Sequence, residues 1–181
     1  MKNFEYLLHK NRIYRYVIKY SKYKRVLGGD VLKEINQFYT FNEYMKNNKL
    51  SPNEEDYIEM IYRLYKEEKD IKISNLSRSL NIRPSSVSNM VKKLQHKGIL
   101  RHEKYGSIIL SNKGEEIGKQ LLNRHNIIEE FLYLIGVRDQ IHEETEKIEH
   151  TISVETLVKI NRLINFLKNN KDVLESLNTY R

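Results

Sequence analysis

Cysteine is absent from this 181-residue chain, so disulfides, thiolate zinc centres and cysteine nucleophiles are excluded at the outset. Proline and glycine are scarce, at two and seven residues, which favours a mostly helical globular protein. No apolar run approaches the ~18 residues of a membrane span. The basic N-terminus is not expected to act as a signal peptide, because charges between His9 and Arg15 interrupt any apolar core. A cytoplasmic protein without membrane contact is therefore expected. The length suffices for one or two small domains, each with a real core.

Acidic charge is in deficit, with 24 Asp and Glu against 32 Lys and Arg and a formal net charge of +8. The deficit is local. Residues 1–50 hold eleven Lys and Arg against four Asp and Glu, whereas the remainder is nearly neutral. Overall basicity thus argues only weakly for nucleic-acid binding, and the case has to rest on local motifs.

The basic segment interleaves Tyr6, Tyr14, Tyr16, Tyr20 and Tyr23 with Lys10, Arg12, Arg15, Lys19, Lys22, Lys24 and Arg25. Gly28-Gly29-Asp30 punctuates it before a second helical stretch around Val31–Met45. Three readings are open: an arm laid on DNA phosphates, a solvated or loosely ordered extension, and contact with an anionic membrane surface.

A clean helix opens at Ser51-Pro52, where Ser51 suits the cap and Pro52 the first helical position. Glu54, Glu55 and Asp56 favour its N-terminal end, and Tyr57, Ile58, Ile61 and Leu64 supply the apolar stripe. The run Ile71-Lys72-Ile73 can add a short strand, after which Ser74 is expected to cap a helix carrying Leu76 and Leu80. Asn81-Ile82-Arg83 makes a turn. Pro84 then begins a helix to about His96, with Val87, Val91 and Leu94 inward and Gly98 as its stop.

Ile99–Leu110 alternates around Tyr105-Gly106, a two-stranded wing with Arg101, His102 and Lys104 towards its tip. Helix, turn, helix and basic hairpin together are the layout of a winged helix-turn-helix. Ser85, Ser86, Ser88 and Asn89 are candidates for groove contacts, and Lys92, Lys93, Arg101 and Lys104 for phosphates. The bland alternative for each is a solvated surface residue.

From Ser111 to Gly136 the pattern stays helical, and two further helices follow around Glu143–Ile152 and Val154–Asn169. Leu157, Ile160, Leu163, Ile164 and Leu167 form a stripe on the last. Wide apolar faces behind a small DNA reader suggest a dimerisation module, since such readers usually bind two-fold half-sites. The expected fold class is mainly α. The expected domains are a basic extension (1–50), a winged helix-turn-helix DNA-binding domain (51–112) and an all-helical metal-binding and dimerisation domain (113–181).

Six residues that suit a hard divalent metal recur at helical spacings: Asp56 and Glu59, His125, then Glu146, Glu149 and His150. Residues three and four apart share a helix face, so three helices can converge four carboxylates and two imidazoles. Without a cation such a cluster is self-repelling; with one or two Mn²⁺-like ions its members become ligands. Glu129, one turn beyond His125, is either an accessory ligand or solvent-facing, and Glu143 and Glu144 read as surface charge.

Residues 52–170 resemble the diphtheria-toxin-repressor-like metalloregulators, and within them the manganese transport regulator branch. The segments that carry the likeness are Glu55-Asp56-Tyr57-Ile58-Glu59, Pro84-Ser85-Ser86-Val87, Glu103-Lys104-Tyr105 and Asn112-Lys113-Gly114. Arg124-His125, Ile135-Gly136-Val137 and Ile148-Glu149-His150 complete it. The resemblance implies two Mn²⁺ ions per subunit, with Asp56 and His125 mainly on one, His150 on the other and the glutamates bridging. Iron-type relatives place Met at Asp56 and typically Cys at Glu146; carboxylates there harden the site and favour Mn²⁺, with Fe²⁺ as the alternative ion. It further implies a homodimer on a palindromic double-stranded operator, repressing metal-uptake genes. The SH3-like domain of the iron-type members is not expected, and the compact manganese regulators lack the long N-terminal extension.

Two other classes compete. A two-metal hydrolase would use similar ligands, but no Gly-rich phosphate cradle or extra acid/base group accompanies them. A di-iron centre is excluded because no His has a Glu three residues before it. A winged-helix regulator that senses an organic ligand remains the rival within the DNA-binding class. No enzyme activity is expected.

Overall fold

The computed structural model describes residues 50–67, 70–103 and 106–180. The expectations for residues 1–49, and for Lys104 and Tyr105 in the wing, lie outside the described residues.

A reciprocal capping box starts α1 (Pro52–Glu67). Glu54 N donates to Ser51 Oγ at 3.4 Å, while Ser51 N donates back to Glu54 Oε2 at 2.8 Å. Tyr57, Ile58 and Ile61 bury the inner face of α1, as their spacing requires. The second helix, α2 (Ile73–Ser79), begins before Ser74, at a Lys72 cap that makes no side-chain bond. Ser74 therefore does not cap it. Nor does Ile71–Ile73 form a strand, although Ile108 N donates to Ile71 O at 2.7 Å. Ile71 is instead a buried plug, and a run of three residues cannot separate those two roles by pattern.

α3 (Pro84–His96) has Pro84 in its first turn and buries Val87, Val91 and Leu94. Gly98, at φ +68°, terminates it: Gly98 N donates to Gln95 O and Ile99 N to Leu94 O, the paired bonds of a Schellman stop. β1 (Leu100–His102) and β2 (Ile108–Leu110) pair antiparallel with Leu100 opposite Leu110. Leu100 and Ile108 face the core, whereas Arg101 and Ile109 face out.

The long helix α4 (Asn112–Leu134) is capped by Ser111, whose Oγ accepts from Gly114 N and donates to Gly98 O. Two glycines let it approach the reader closely. A Cβ on Gly114 would stand 2.0 Å from Ile99 O, and one on Gly118 would stand 2.5 Å from Tyr62 Cβ. Ile117 and Leu121 of α4 thereby join the core built from α1, α2, α3 and the wing. One face of α4 belongs to the reader; the rest packs against the next two helices of the chain.

α5 (Ile141–Glu149) starts and stops two to three residues before the expected stretch and leaves His150 as its C-terminal cap. Ser153 caps α6 (Val154–Asn169), and an unforeseen α7 (Lys171–Thr179) buries no residue. The stripe on α6 divides: Leu157, Ile164 and Leu167 are buried, but Leu163 is exposed, as are Phe166 outside the stripe and Val173 and Leu177 on α7. Among the described residues no helix is long and apolar enough to cross a membrane.

Candidate metal centre

Asp56 and Glu59 lie one turn apart on α1, and Glu55 projects beside them. α4 brings Arg124 and His125 across from α1, and the end of α5 delivers Glu146, Glu149 and His150. All six candidate ligands come together here. His125, only 1% exposed, has Nδ1 ringed by Glu149 Oε2 at 2.9 Å, Glu146 Oε1 at 3.6 Å and Glu59 Oε1 at 3.8 Å. His150 Nε2 lies 2.9 Å from Asp56 Oδ1 and 3.6 Å from Glu149 Oε1.

The donors fall into two groups, each with its ligand atoms within 4.8 Å of one another. An outer group comprises Asp56, Glu146, Glu149 and His150; an inner, fully buried group comprises Glu59, His125 and Glu149. Glu149 is common to both. The side chains thus set Asp56 beside His150, where the family resemblance pairs it with His125.

Charge in this pocket is held in tension. Burial works against a protonated His125, but Glu149 and Glu59 outweigh it and raise its pKa. The Asp56 and Glu55 carboxylates push His150 up to about 10. Burial and the neighbouring Glu149 carboxylate push Glu146 up as well. Protons on the imidazoles therefore offset part of the negative charge. Asp56 Oδ1, although near His150 Nε2, is buried without an aligned hydrogen-bond donor. The convergence of that oxygen with two imidazoles and three further carboxylates fits a hard divalent cation.

Several participants carry no assigned role in the sequence reading. Glu55 Oε2 accepts from Arg124 Nη2 at 2.8 Å and lies 3.0 Å from His150 Nδ1, so it orients the imidazole from behind. Arg63 donates to Glu59. His142, four residues before Glu146, has its ring 5.2 Å from that of His125, and these two histidines form a third compact group with Glu129. The i,i+4 spacings of Glu59 to Arg63 and of His142 to Glu146 are visible in the sequence. Such pairs are common on solvated faces, so the spacing alone does not mark them.

Most of the reader's candidate contacts on α3 and the wing are open to solvent. Ser85, Ser86, Asn89, Lys92, Lys93 and Arg101 are exposed and Ser88 is half-buried; Lys104 lies outside the described residues. Lys93 Nζ is also 3.4 Å from the buried Glu54 Oε1, so that lysine is partly engaged within the protein.

Residues 49–108 match the family described as iron dependent repressor, N-terminal DNA binding domain. Residues 111–177 match its metal binding and dimerisation domain. The chain belongs to the iron-dependent repressor family. Its members are metal-dependent DNA-binding transcriptional regulators, not enzymes. The transcriptional regulator MntR of Oceanobacillus iheyensis is 39% identical over 128 residues, covering 70% of this chain and 87% of that protein. MntR of Listeria welshimeri is 41% identical over 128 residues, covering 70% and 90%. Among solved structures, the manganese regulator SloR aligns with a TM-score of 0.55 at 32% identity, over 65% of this chain and 55% of that one. The metal-dependent transcriptional regulator MtsR aligns with a TM-score of 0.58 at 28% identity and the same coverage. The chain thus spans about half the length of those two solved chains.

Proposed function

We propose that this family member is a manganese-responsive repressor of metal-uptake genes, acting in the cytoplasm as a homodimer on a palindromic operator. Residues 51–112 serve as the DNA reader and 113–181 as the metal-binding and dimerisation part, with α4 shared between them. The observation that carries the reading is the meeting of six donors from three helices in two groups joined by Glu149. An all-carboxylate and imidazole set suits Mn²⁺, and Fe²⁺ is the alternative ion. The contacts favour two ions per subunit, one held by Asp56, Glu146, Glu149 and His150, the other by Glu59, His125 and Glu149.

A bound divalent ion supplies the positive charge that lets these carboxylates stay close. Asp56 and Glu59 then tether α1, and with it the reader, to His125 on α4 and to the end of α5. Glu149 bridges the two groups, while Glu55 keeps His150 turned towards the donors. Held in this way, the two recognition helices of a dimer present Ser85, Ser86, Ser88 and Asn89 to grooves about one turn, ~34–36 Å, apart. Lys92, Lys93, Arg101 and Lys104 grip phosphates. A coupling of ~1–3 kcal/mol between the sites changes DNA affinity roughly 5- to 150-fold.

The direct test is calorimetric Mn²⁺ titration together with gel shifts in Mn²⁺ and in chelator. Asp56→Ala and Glu149→Ala are expected to weaken metal binding and abolish the metal-dependent shift while the protein stays folded and dimeric. An unchanged metal response in both variants refutes the proposal.

A further inference from the structure

The inner donor group already contains a fixed positive charge. Arg63, one turn after Glu59 on α1, donates through Nε at 3.0 Å and through Nη2 at 2.7 Å, both to the same oxygen, Glu59 Oε1. That oxygen faces His125 Nδ1 across the group. An ordinary i,i+4 pair lies on a solvated helix face. This one has its carboxylate 6% exposed, beside His125 and Glu149, which are 1% and 2% exposed. The guanidinium is the exception, because a third of the Arg63 side chain reaches solvent.

We propose that Arg63 is a built-in counter-cation of the inner group and sets how much divalent metal the protein needs before that group loads. The inference rests on the metal-centre reading above. Both N–H donors belong to one guanidinium and reach Oε1 from the same side, so an ion that takes the remaining direction at this oxygen shares it with a fixed positive charge unless the guanidinium swings away. The exposed side of Arg63 gives the guanidinium a path into water. If the ion instead takes the other carboxylate oxygen, the guanidinium stays one carboxylate away from a dication. A unit charge at that range weakens binding by about tenfold even under water-like screening. Both routes have the same sign: Arg63 stabilises the metal-free protein and raises the metal threshold.

The test compares the unaltered full-length chain with Arg63→Met, which keeps length and helix propensity without charge, and with Arg63→Lys, which keeps the charge. Mn²⁺ affinity is measured by chelator competition, ion occupancy by electron paramagnetic resonance, and metal-free melting by circular dichroism. Arg63→Met is expected to bind Mn²⁺ about tenfold tighter and to melt lower without metal, and Arg63→Lys to stay near the unaltered chain. Arg63→Gln replaces the Met variant if that one does not fold. Equal or weaker Mn²⁺ binding by the folded, uncharged variant overturns the role of Arg63, since the guanidinium would then be orienting Glu59 for the ion. Failure of the unaltered chain to bind Mn²⁺ at all is a separate result and sinks the metal-centre reading itself.

Discussion

At the residue scale, Glu54 links the two halves of the proposed mechanism. Its carboxylate closes the first turn of α1 through Ser51 and is almost wholly buried against α3, with Lys97 Nζ at 2.7 Å. Burial alone would raise its pKa, but the Lys97 ammonium and the Ser51 donors outweigh burial and hold it below the ordinary carboxylate range. Asp56 and Glu59 follow on the same helix, while α3 carries the groove-facing serines. Glu54→Ala is expected to cost about 1–3 kcal/mol in chemical denaturation, the sum of a lost cap and a lost charged hydrogen bond. A cost below about 0.5 kcal/mol would show that neither contact matters. Glu54 and Lys97 stand 43 positions apart, and nothing in helix periodicity pairs residues at such a distance. Glu55 is hidden for the same reason: its partners Arg124 and His150 come from α4 and from the cap of α5. Asp56 with Glu59, and Glu146 with Glu149 and His150, stand out by their helical spacings, whereas the lone His125 has no such signal and is singled out only by the family resemblance.

At the scale of elements, the contact between α1 and α4 governs the site, because these helices carry Asp56, Glu59 and His125. Gly118 sets their separation where it meets Tyr62. A methyl there has no room, and overpacking a close helix crossing costs about 1–3 kcal/mol. Gly118→Ala is expected to lower the melting temperature and also weaken Mn²⁺ binding, because α1 has to shift relative to His125. Full metal affinity in a destabilised Gly118→Ala protein would show that the site does not depend on this crossing. Elements with strong local signals were readable: the Ser51-Pro52 start, the Gly98 stop and the alternating wing. Weaker signals misled. Ile71–Ile73 is too short for its period to be assigned, and the start of α5 has no side-chain cap to mark it, since Gln140 there sits at φ 54°. α7 follows α6 across a single residue, Asn170, and buries nothing within the chain, so no core-facing stripe announces it.

At the scale of the whole molecule, the described residues leave apolar side chains uncovered on α6 and α7, including Leu163, Phe166, Val173 and Leu177. That face accords with the family's metal binding and dimerisation domain, and the α6 stripe is wider than the other described residues cover. Phe166→Glu is expected to shift the protein towards monomer in analytical ultracentrifugation and to weaken operator binding, since a two-fold site needs both readers. An unaltered dimer would put the interface elsewhere. The order of parts, a reader followed by a helical metal-binding module, could be read from local patterns, whereas the sharing of α4 between them depends on Ile117 and Leu121 packing into the reader's core.

The most direct measurement is anomalous diffraction at the manganese edge from crystals grown with Mn²⁺. Two peaks per subunit are expected, one bounded by Asp56, Glu146, Glu149 and His150 and the other by Glu59, His125 and Glu149. Manganese density away from these side chains, or none in a crystal saturated with the ion, would contradict the union of α1, α4 and α5 by metal.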